Sequence, residues 1–283
     1  MIQLLASCLI GLGTGLMAGT FGVGGGIVAT PLLKVFMGFS AQVAIGTTLA
    51  LILPTSLTGA INYYRQNLID YKLALKLALP SVLAATGGAA LTGSVSAKLL
   101  MLSFSGLIIL AALDLLFGYS DGLKARRAKK AVSLTNESSQ AESESRSDSS
   151  SESRSDSEIY ISPTLSRALP VGLLAGFLSG FFGVGGGFIM IPIFLALFNM
   201  PLKMALGTSL LTVSLISIPG IITHAWLGHV RFDTVAMLVC GAVPGSYLGS
   251  KIAIMVKDKL LKKGFGLLML FMAGQMIYSE LQM

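Results

Sequence analysis

Two glycine-rich stretches are the residues whose type and spacing most clearly point to chemistry. The sequence FGVGGG occupies positions 21–26 and again 182–187, and a proline follows each copy, at 31 and 192. Glycine tolerates positive φ angles and lets a backbone or a ligand approach closely. A helix that begins after such a break presents free N–H groups and the positive end of its dipole, which favour an anion. These features predict substrate-binding residues at Gly22, Gly24, Gly25, Gly26, Gly183, Gly185, Gly186 and Gly187.

Hydroxyl side chains occupy matching places after the two breaks. Thr47 and Thr48 lie in AIGTTL at 44–49, and Thr208 and Ser209 lie in ALGTSL at 205–210. Serine and threonine hydroxyls can donate to a substrate oxygen, but in helices they also bond to their own backbone. Both roles stay open, and all four are candidate substrate-binding residues.

A second set of polar residues suits coupling or gating. Asn62, Tyr63 and Arg65 close one apolar stretch, and His224 lies at the matching place of another. Anchoring at the membrane interface is the competing explanation for such residues. Asp114 is the one carboxylate inside an apolar run, which indicates either a proton relay or a side chain that snorkels to the boundary.

The elements that position these residues are predicted to be membrane helices. Hydrophobic residues make up 53% of the 283 residues, charged residues only 12%, and the mean hydropathy is +0.79. A helix needs about 20 apolar residues to cross a bilayer. The spans predicted from length and composition are 42–63, 73–95, 99–118, 204–225, 234–255 and 264–279. Two further apolar zones, 2–38 and 168–200, contain the breaks, and 27–38 is too short for a full crossing.

The chain is an internal duplication with an offset of 161 residues. This offset pairs Gly11, Gly15 and Gly19 with Gly172, Gly176 and Gly180, as well as the two FGVGGG copies. Basic residues at 124–130 and 257–263 both mark cytoplasmic loops. Lys98 lies one crossing before 124–130 and is therefore expected outside, although its counterpart in the second copy is the cytoplasmic loop at 257–263. Equivalent loops of the two copies thus lie on opposite faces of the membrane. We therefore predict an all-α integral membrane protein of two inverted-topology repeats. Each repeat has a glycine-broken hairpin plus three transmembrane helices, giving about 8–10 membrane segments.

The predicted organisation is a first membrane repeat at 1–119, a cytoplasmic disordered linker at 120–167 and a second membrane repeat at 168–283. The linker is rich in serine and charged residues and nearly free of apolar ones at 134–158. It is a flexible spacer or a regulatory tail. Both termini are expected outside.

Several function classes are excluded or disfavoured. The net charge of +7 resides in loops beside apolar runs, so no nucleic-acid partner is expected. Two isolated cysteines and two histidines offer no metal cluster, cofactor site or catalytic constellation, so we expect no enzyme. No phosphate-binding GxxxxGK[ST] motif is present, which favours secondary transport over nucleotide-driven transport.

The doubled FGVGGG motif, each copy followed by proline and by GTT or GTS, resembles the sulfite exporter TauE/SafE family of membrane anion permeases. The resemblance covers nearly the whole chain outside about 120–165. It implies a multi-pass permease of a bacterial or archaeal inner membrane that moves sulfite or organosulfonates by alternating access. An anion channel or a permease for small carboxylates is the alternative. The expected partners are the anion and the bilayer, with a coupled proton or sodium ion and self-association left open.

Overall fold

The structure is a computed structural model that describes residues 2–92, 94–117, 163–183 and 185–281. Within these ranges the chain is helical and contains no strand. The predicted linker falls mainly outside them, and α6 begins three residues before the predicted start of the second repeat. The helices are α1 (Ile2–Phe21), α2 (Gly26–Met37), α3 (Ala41–Arg65), α4 (Tyr71–Thr92), α5 (Ala97–Phe117), α6 (Leu165–Phe182), α7 (Gly187–Leu197), α8 (Leu202–Trp226), α9 (Phe232–Met255) and α10 (Asp258–Leu281).

Six of the described helices are long and apolar enough to cross a membrane, namely α3, α4, α6, α8, α9 and α10. Each span predicted from the sequence coincides with one helix to within about three residues at most ends, and α5 accounts for the span at 99–118. Leucine, isoleucine and phenylalanine side chains remain exposed along these helices, as expected where lipid replaces water. The protein is therefore a multi-pass membrane protein.

The two glycine-containing zones each fold into a long and a short helix. The short helix α2 has 12 residues and α7 has 11. At a rise of 1.5 Å per residue they extend about 18 Å and about 16 Å, which is roughly half of a bilayer's hydrocarbon core. The prediction that 27–38 is too short for a full crossing is confirmed.

Glycine seams join helices from different halves of the chain. A Cβ added at Gly11, Gly15 or Gly19 of α1 would collide with backbone carbonyls of α9. The matching glycines of α6 have the same relation to α4. Small residues let membrane helices approach closely, and these evenly spaced glycines serve such packing. The two pairs α1–α9 and α4–α6 thus have the most extensive helix–helix contacts among the described helices.

The duplicated helices α3 and α8 pack against each other at the centre and run antiparallel. Gly46 near the start of α3 touches the His229 carbonyl just after α8, and Gly207 near the start of α8 touches the Leu68 carbonyl just after α3. Helices α9 and α4 flank this pair, and α5 packs on α10. Each flanking pair takes one helix from each half of the chain. The orientation of the two repeats across a membrane stays a prediction.

Candidate anion site at the two glycine breaks

Both breaks adopt backbone conformations that favour glycine. Gly24 and Gly25 have φ angles of 72° and 92°, and Gly185 and Gly186 have 77° and 70°. Gly22 and Gly183 also have positive φ. The left-handed region costs a residue with a side chain about 1–2 kcal/mol, so successive positive angles explain why glycines are clustered here.

The two breaks meet in the interior. A Cβ built on Gly187 would lie 2.9 Å from Val23 Cα and 3.0 Å from Gly22 O. A Cβ on Gly24 would lie 2.8 Å from Val213 Cγ1, and one on Gly185 would lie 2.6 Å from the same atom. The structure thus brings together the glycines that the sequence pairs at an offset of 161.

Ile52 and Val213 fill the contact between the breaks. They are themselves paired by the 161-residue offset, and both side chains are fully buried. Gly24 and Gly185 both contact them. The sequence reasoning missed these two residues, because an aliphatic residue inside an apolar helix carries no signal except its matching place in the repeat.

Each break is followed by a helix start without a side-chain cap. The N-caps are Gly25 for α2 and Gly186 for α7, and neither first turn carries an acidic residue. Gly25 O accepts hydrogen bonds from Val28 N and Ala29 N, and Gly186 O is bonded in the same way. The first N–H groups of each helix have no intrahelical acceptor, because no preceding turn exists. Two helix starts with positive dipole ends therefore converge where the breaks meet.

Two buried hydroxyls beside the breaks have no hydrogen-bond partner among the described residues. They are Thr14 Oγ1 and Ser179 Oγ, both at most 1% exposed. A Cβ on Gly25 would lie 3.0 Å from Thr14 Cγ2, and Ser179 O accepts a bond from Gly183 N at 2.9 Å. A buried unsatisfied hydroxyl costs about 1–3 kcal/mol. The sequence reasoning also missed these residues, which lie on the helices before the breaks.

Thr47 and Thr208 each bond to a loop of the other half of the chain. Thr208 Oγ1 accepts a bond from Asp70 N at 2.9 Å, and Thr47 Oγ1 accepts one from Arg231 N at 3.1 Å. Asp70 and Arg231 are again paired by the offset and immediately precede α4 and α9. These two hydroxyls therefore fasten each central helix to a loop of the other half.

Thr48 and Ser209 lie nearer to the short helices. Ser209 Oγ donates to Gly187 O at 3.5 Å, and Thr30 Oγ1 of α2 donates to Thr48 Oγ1 at 3.3 Å. All three side chains are fully buried. Ser209 is the predicted hydroxyl that the structure brings to a break, since Gly187 begins α7.

The predicted coupling and gating residues Asn62, Arg65 and Asp114 have different surroundings. Asn62 Nδ2 donates to Ser250 Oγ at 2.7 Å and to Tyr247 O, which ties α3 to α9. Arg65 is exposed at the end of α3. Asp114 lies on α5, three residues before the last residue of that helix, and its side chain is outside the part of the chain whose side chains are described.

Tyr63 and His224 occupy equivalent buried positions. Tyr63 Oη donates to Gly19 O at 3.3 Å, and His224 Nε2 lies 3.3 Å from Gly180 O. Both side chains are fully buried, so neither serves as an interfacial anchor. His224 Nδ1 also lies 3.2 Å from Nδ1 of His229, a residue that the sequence reasoning did not select.

Comparison with known proteins identifies the family. The family model described as sulfite exporter TauE/SafE matches residues 7–276. Probable membrane transporter protein YunE of Bacillus subtilis is 29% identical over 279 residues, covering 94% of this chain and 95% of that protein. Probable membrane transporter protein YdhB of the same species is 27% identical, covering 91% and 96%. A probable membrane transporter protein of Methanocaldococcus jannaschii is 23% identical, covering 95% and 91%. No solved structure matches. The chain is a membrane transporter rather than an enzyme, and it belongs to the sulfite exporter TauE/SafE family.

Proposed function

We propose that this transporter carries small anions, sulfite or organosulfonates, by alternating access through a site where the two glycine breaks meet. The observation that carries the proposal is the convergence of two uncapped helix starts on one buried place. Thr14 and Ser179 add two hydroxyls that would donate to anion oxygens. Together these groups would replace part of the water that a small anion loses on entry.

The substrate-binding residues in this proposal are the eight glycines of the breaks, Ser209, Thr14 and Ser179. Thr47 and Thr208 do not bind the anion in this proposal but position the central helices, because they hold these helices to the loops before α9 and α4. Thr48 supports α2 through Thr30. A small anion needs only a few donors at close range, which suits a site built largely from backbone.

Ile52 and Val213 provide the closure between the two sides. These side chains fill the space between the breaks, so the anion passes only after the helices that carry them have shifted. The moving units would be α3 together with the α1–α9 pair and α8 together with the α4–α6 pair, because α3 packs on α9, α8 packs on α4, and glycine seams make each pair nearly rigid. This arrangement favours a carrier with an occluded state over a continuously open channel.

We further propose that the two repeats are inverted in a bacterial or archaeal inner membrane, with both termini outside. The antiparallel packing of α3 against α8 supports inversion, because these helices are equivalent in the repeat. Cysteine labelling tests the orientation. Lys98→Cys and Leu260→Cys, each in a background without Cys8 and Cys240, are expected to react from opposite sides of the membrane. Reaction of both from the same side would overturn the inverted arrangement.

Transport is tested with purified protein in sealed vesicles. Labelled sulfite and sulfoacetate are expected to show saturable uptake that is accelerated by unlabelled anion on the far side. Flux that does not saturate and shows no exchange would identify a channel. Preferential exchange of small carboxylates would reassign the substrate, and vesicles without any anion flux would refute the proposed function.

A further inference from the structure

The two ends of the central helices differ in one chemically decisive way. Tyr63 and His224 are paired by the offset, and each bonds to a glycine carbonyl at the end of a broken-hairpin helix, at 3.3 Å in both cases. Five residues after each of them, the same offset pairs Leu68 with His229. Histidine is the side chain that ordinarily exchanges a proton near neutral pH. Only the histidine end can therefore respond to protons in that range.

Hydrogen-bonding rules fix the proton positions of the neutral histidine pair. Gly180 O can only accept, so His224 carries its proton on Nε2 and its Nδ1 is an acceptor. His229 must then donate from Nδ1 across the 3.2 Å gap. An added proton on His229 Nε2 leaves both bonds in place and makes the bond between the rings charge-assisted. The pair can thus accept one proton without rearranging.

The pair lies beside the second glycine break. Gly180 precedes Gly183 by three residues, which is about 4.5 Å along a helix axis. A proton on the pair would place a positive charge on the partly buried His229, whose Nδ1 lies 3.2 Å from the buried His224 ring that contacts Gly180. Opposite charges attract more strongly at a partly buried site than in water.

The charges nearest to His229 along the chain balance each other. Arg231 and Asp233 follow His229 and bond to each other, with Arg231 Nη2 and Asp233 Oδ2 2.8 Å apart. The packed segments 41–56 of α3 and 168–182 of α6 contain no titratable side chain. Burial lowers the pKa of His229 below its ordinary value. The pair accordingly stays neutral near pH 7 until a nearby negative charge favours the proton.

We propose that His224 and His229 form a proton-binding pair coupled to the anion at the second glycine break, so that each ligand stabilises the binding of the other. This inference rests on the proposed anion transport and names the proton, rather than sodium, as the coupled ion. Coupling of binding is reciprocal, so the factor by which the proton tightens anion binding equals the factor by which the anion tightens proton binding.

The test transplants the Tyr63 end onto the histidine end. His224→Tyr with His229→Leu installs the residues found at 63 and 68, which keeps a donor to Gly180 O but removes both titratable rings. Equilibrium binding of labelled sulfoacetate, whose charge is constant in this range, is compared at about pH 6 and about pH 8. The wild type is expected to bind about fivefold or more tightly at the lower pH. The double variant is expected to bind equally at both.

Controls separate the two proposals. Tyr63→Phe should retain the pH dependence, because it changes the end that has no titrating pair. His229→Leu alone preserves the His224 bond to Gly180 and is used if the double variant does not fold. Wild-type binding that is independent of pH, or a pH dependence that survives in both histidine variants, overturns the proton pair while leaving anion transport intact. Wild-type protein that binds no anion at either pH refutes the proposed function instead, and the pH dependence of unfolding given below still reports on the pair.

Discussion

Replacing Gly24 by alanine tests whether the two breaks really meet in a filled interior. The added Cβ would lie 2.8 Å from Val213 Cγ1 and 3.0 Å from Ile52 Cγ2, and the residue has a φ of 72°. Gly38 offers a matched control, because its φ is 65° but a Cβ there would meet nothing within 4 Å. The two substitutions share the backbone strain and differ in the packing conflict.

The expected magnitudes follow from these two contributions. Left-handed strain costs about 1–2 kcal/mol in either variant. Overpacking a filled interior adds about 1–3 kcal/mol, because Ile52 and Val213 are fully buried. Gly24→Ala should therefore lower the free energy of unfolding by about 2–5 kcal/mol, and Gly38→Ala only by about 1–2 kcal/mol.

The measurement is reversible unfolding of both variants in detergent, together with anion exchange in vesicles. Gly24→Ala is expected to abolish exchange even under conditions in which the variant remains folded, whereas Gly38→Ala should retain it. Equal destabilisation by the two substitutions would show that the interior around Gly24 is not tightly filled. Normal exchange by folded Gly24→Ala would remove the breaks from the transport path.

Three further predictions concern the hydroxyl of Thr14, the hydroxyl of Tyr63 and the titration of His229. Thr14→Val should leave stability unchanged or raise it by up to about 1–3 kcal/mol while weakening anion binding, because the hydroxyl has no partner. Thr20→Val, which removes bonds to Leu16 O and Gly249 O, should instead destabilise the protein in the same unfolding assay. Tyr63→Phe should cost about 0.5–1.5 kcal/mol of unfolding free energy and leave the pH dependence of anion binding unchanged. Burial lowers the pKa of His229, so the unfolded chain binds the proton more readily. Stability from this residue is present above its unfolded pKa, about 6.5, and should be lost as pH falls below it. An anion-free wild type that unfolds with the same pH dependence as His229→Leu would contradict this last expectation.

The repeat makes several of these contacts interpretable in pairs. The bonds from Asp70 N to Thr208 and from Arg231 N to Thr47 are equivalent, as are the carbonyl contacts of Gly19 and Gly180. For the bonds to Thr208 and Thr47, which are equal on both sides, a structural role is sufficient. Tyr63 and His224 make equivalent contacts but differ in chemistry, and for this pair we propose a role specific to one side.

The amino-acid sequence by itself determined the membrane class, the duplication and the short helices after the breaks. Each of these depends on local properties, namely apolar length, residue type and spacing along the chain. The run of glycines at 22–26 indicates a break wherever the segment lies in the fold, because left-handed backbone angles are a local cost.

The tertiary structure alone decided which residues surround the breaks and how the halves are joined. Thr47 is close to the second half through Arg231, which lies 184 positions away, and His224 meets Gly180 across 44 positions. Spacing along the chain does not specify such contacts, because they depend on which helices pack together. Helix α1 packs on α9 of the second half, and α6 packs on α4 of the first half. These contacts, and the filling of the centre by Ile52 and Val213, likewise depend on close packing between helices that are remote in the sequence.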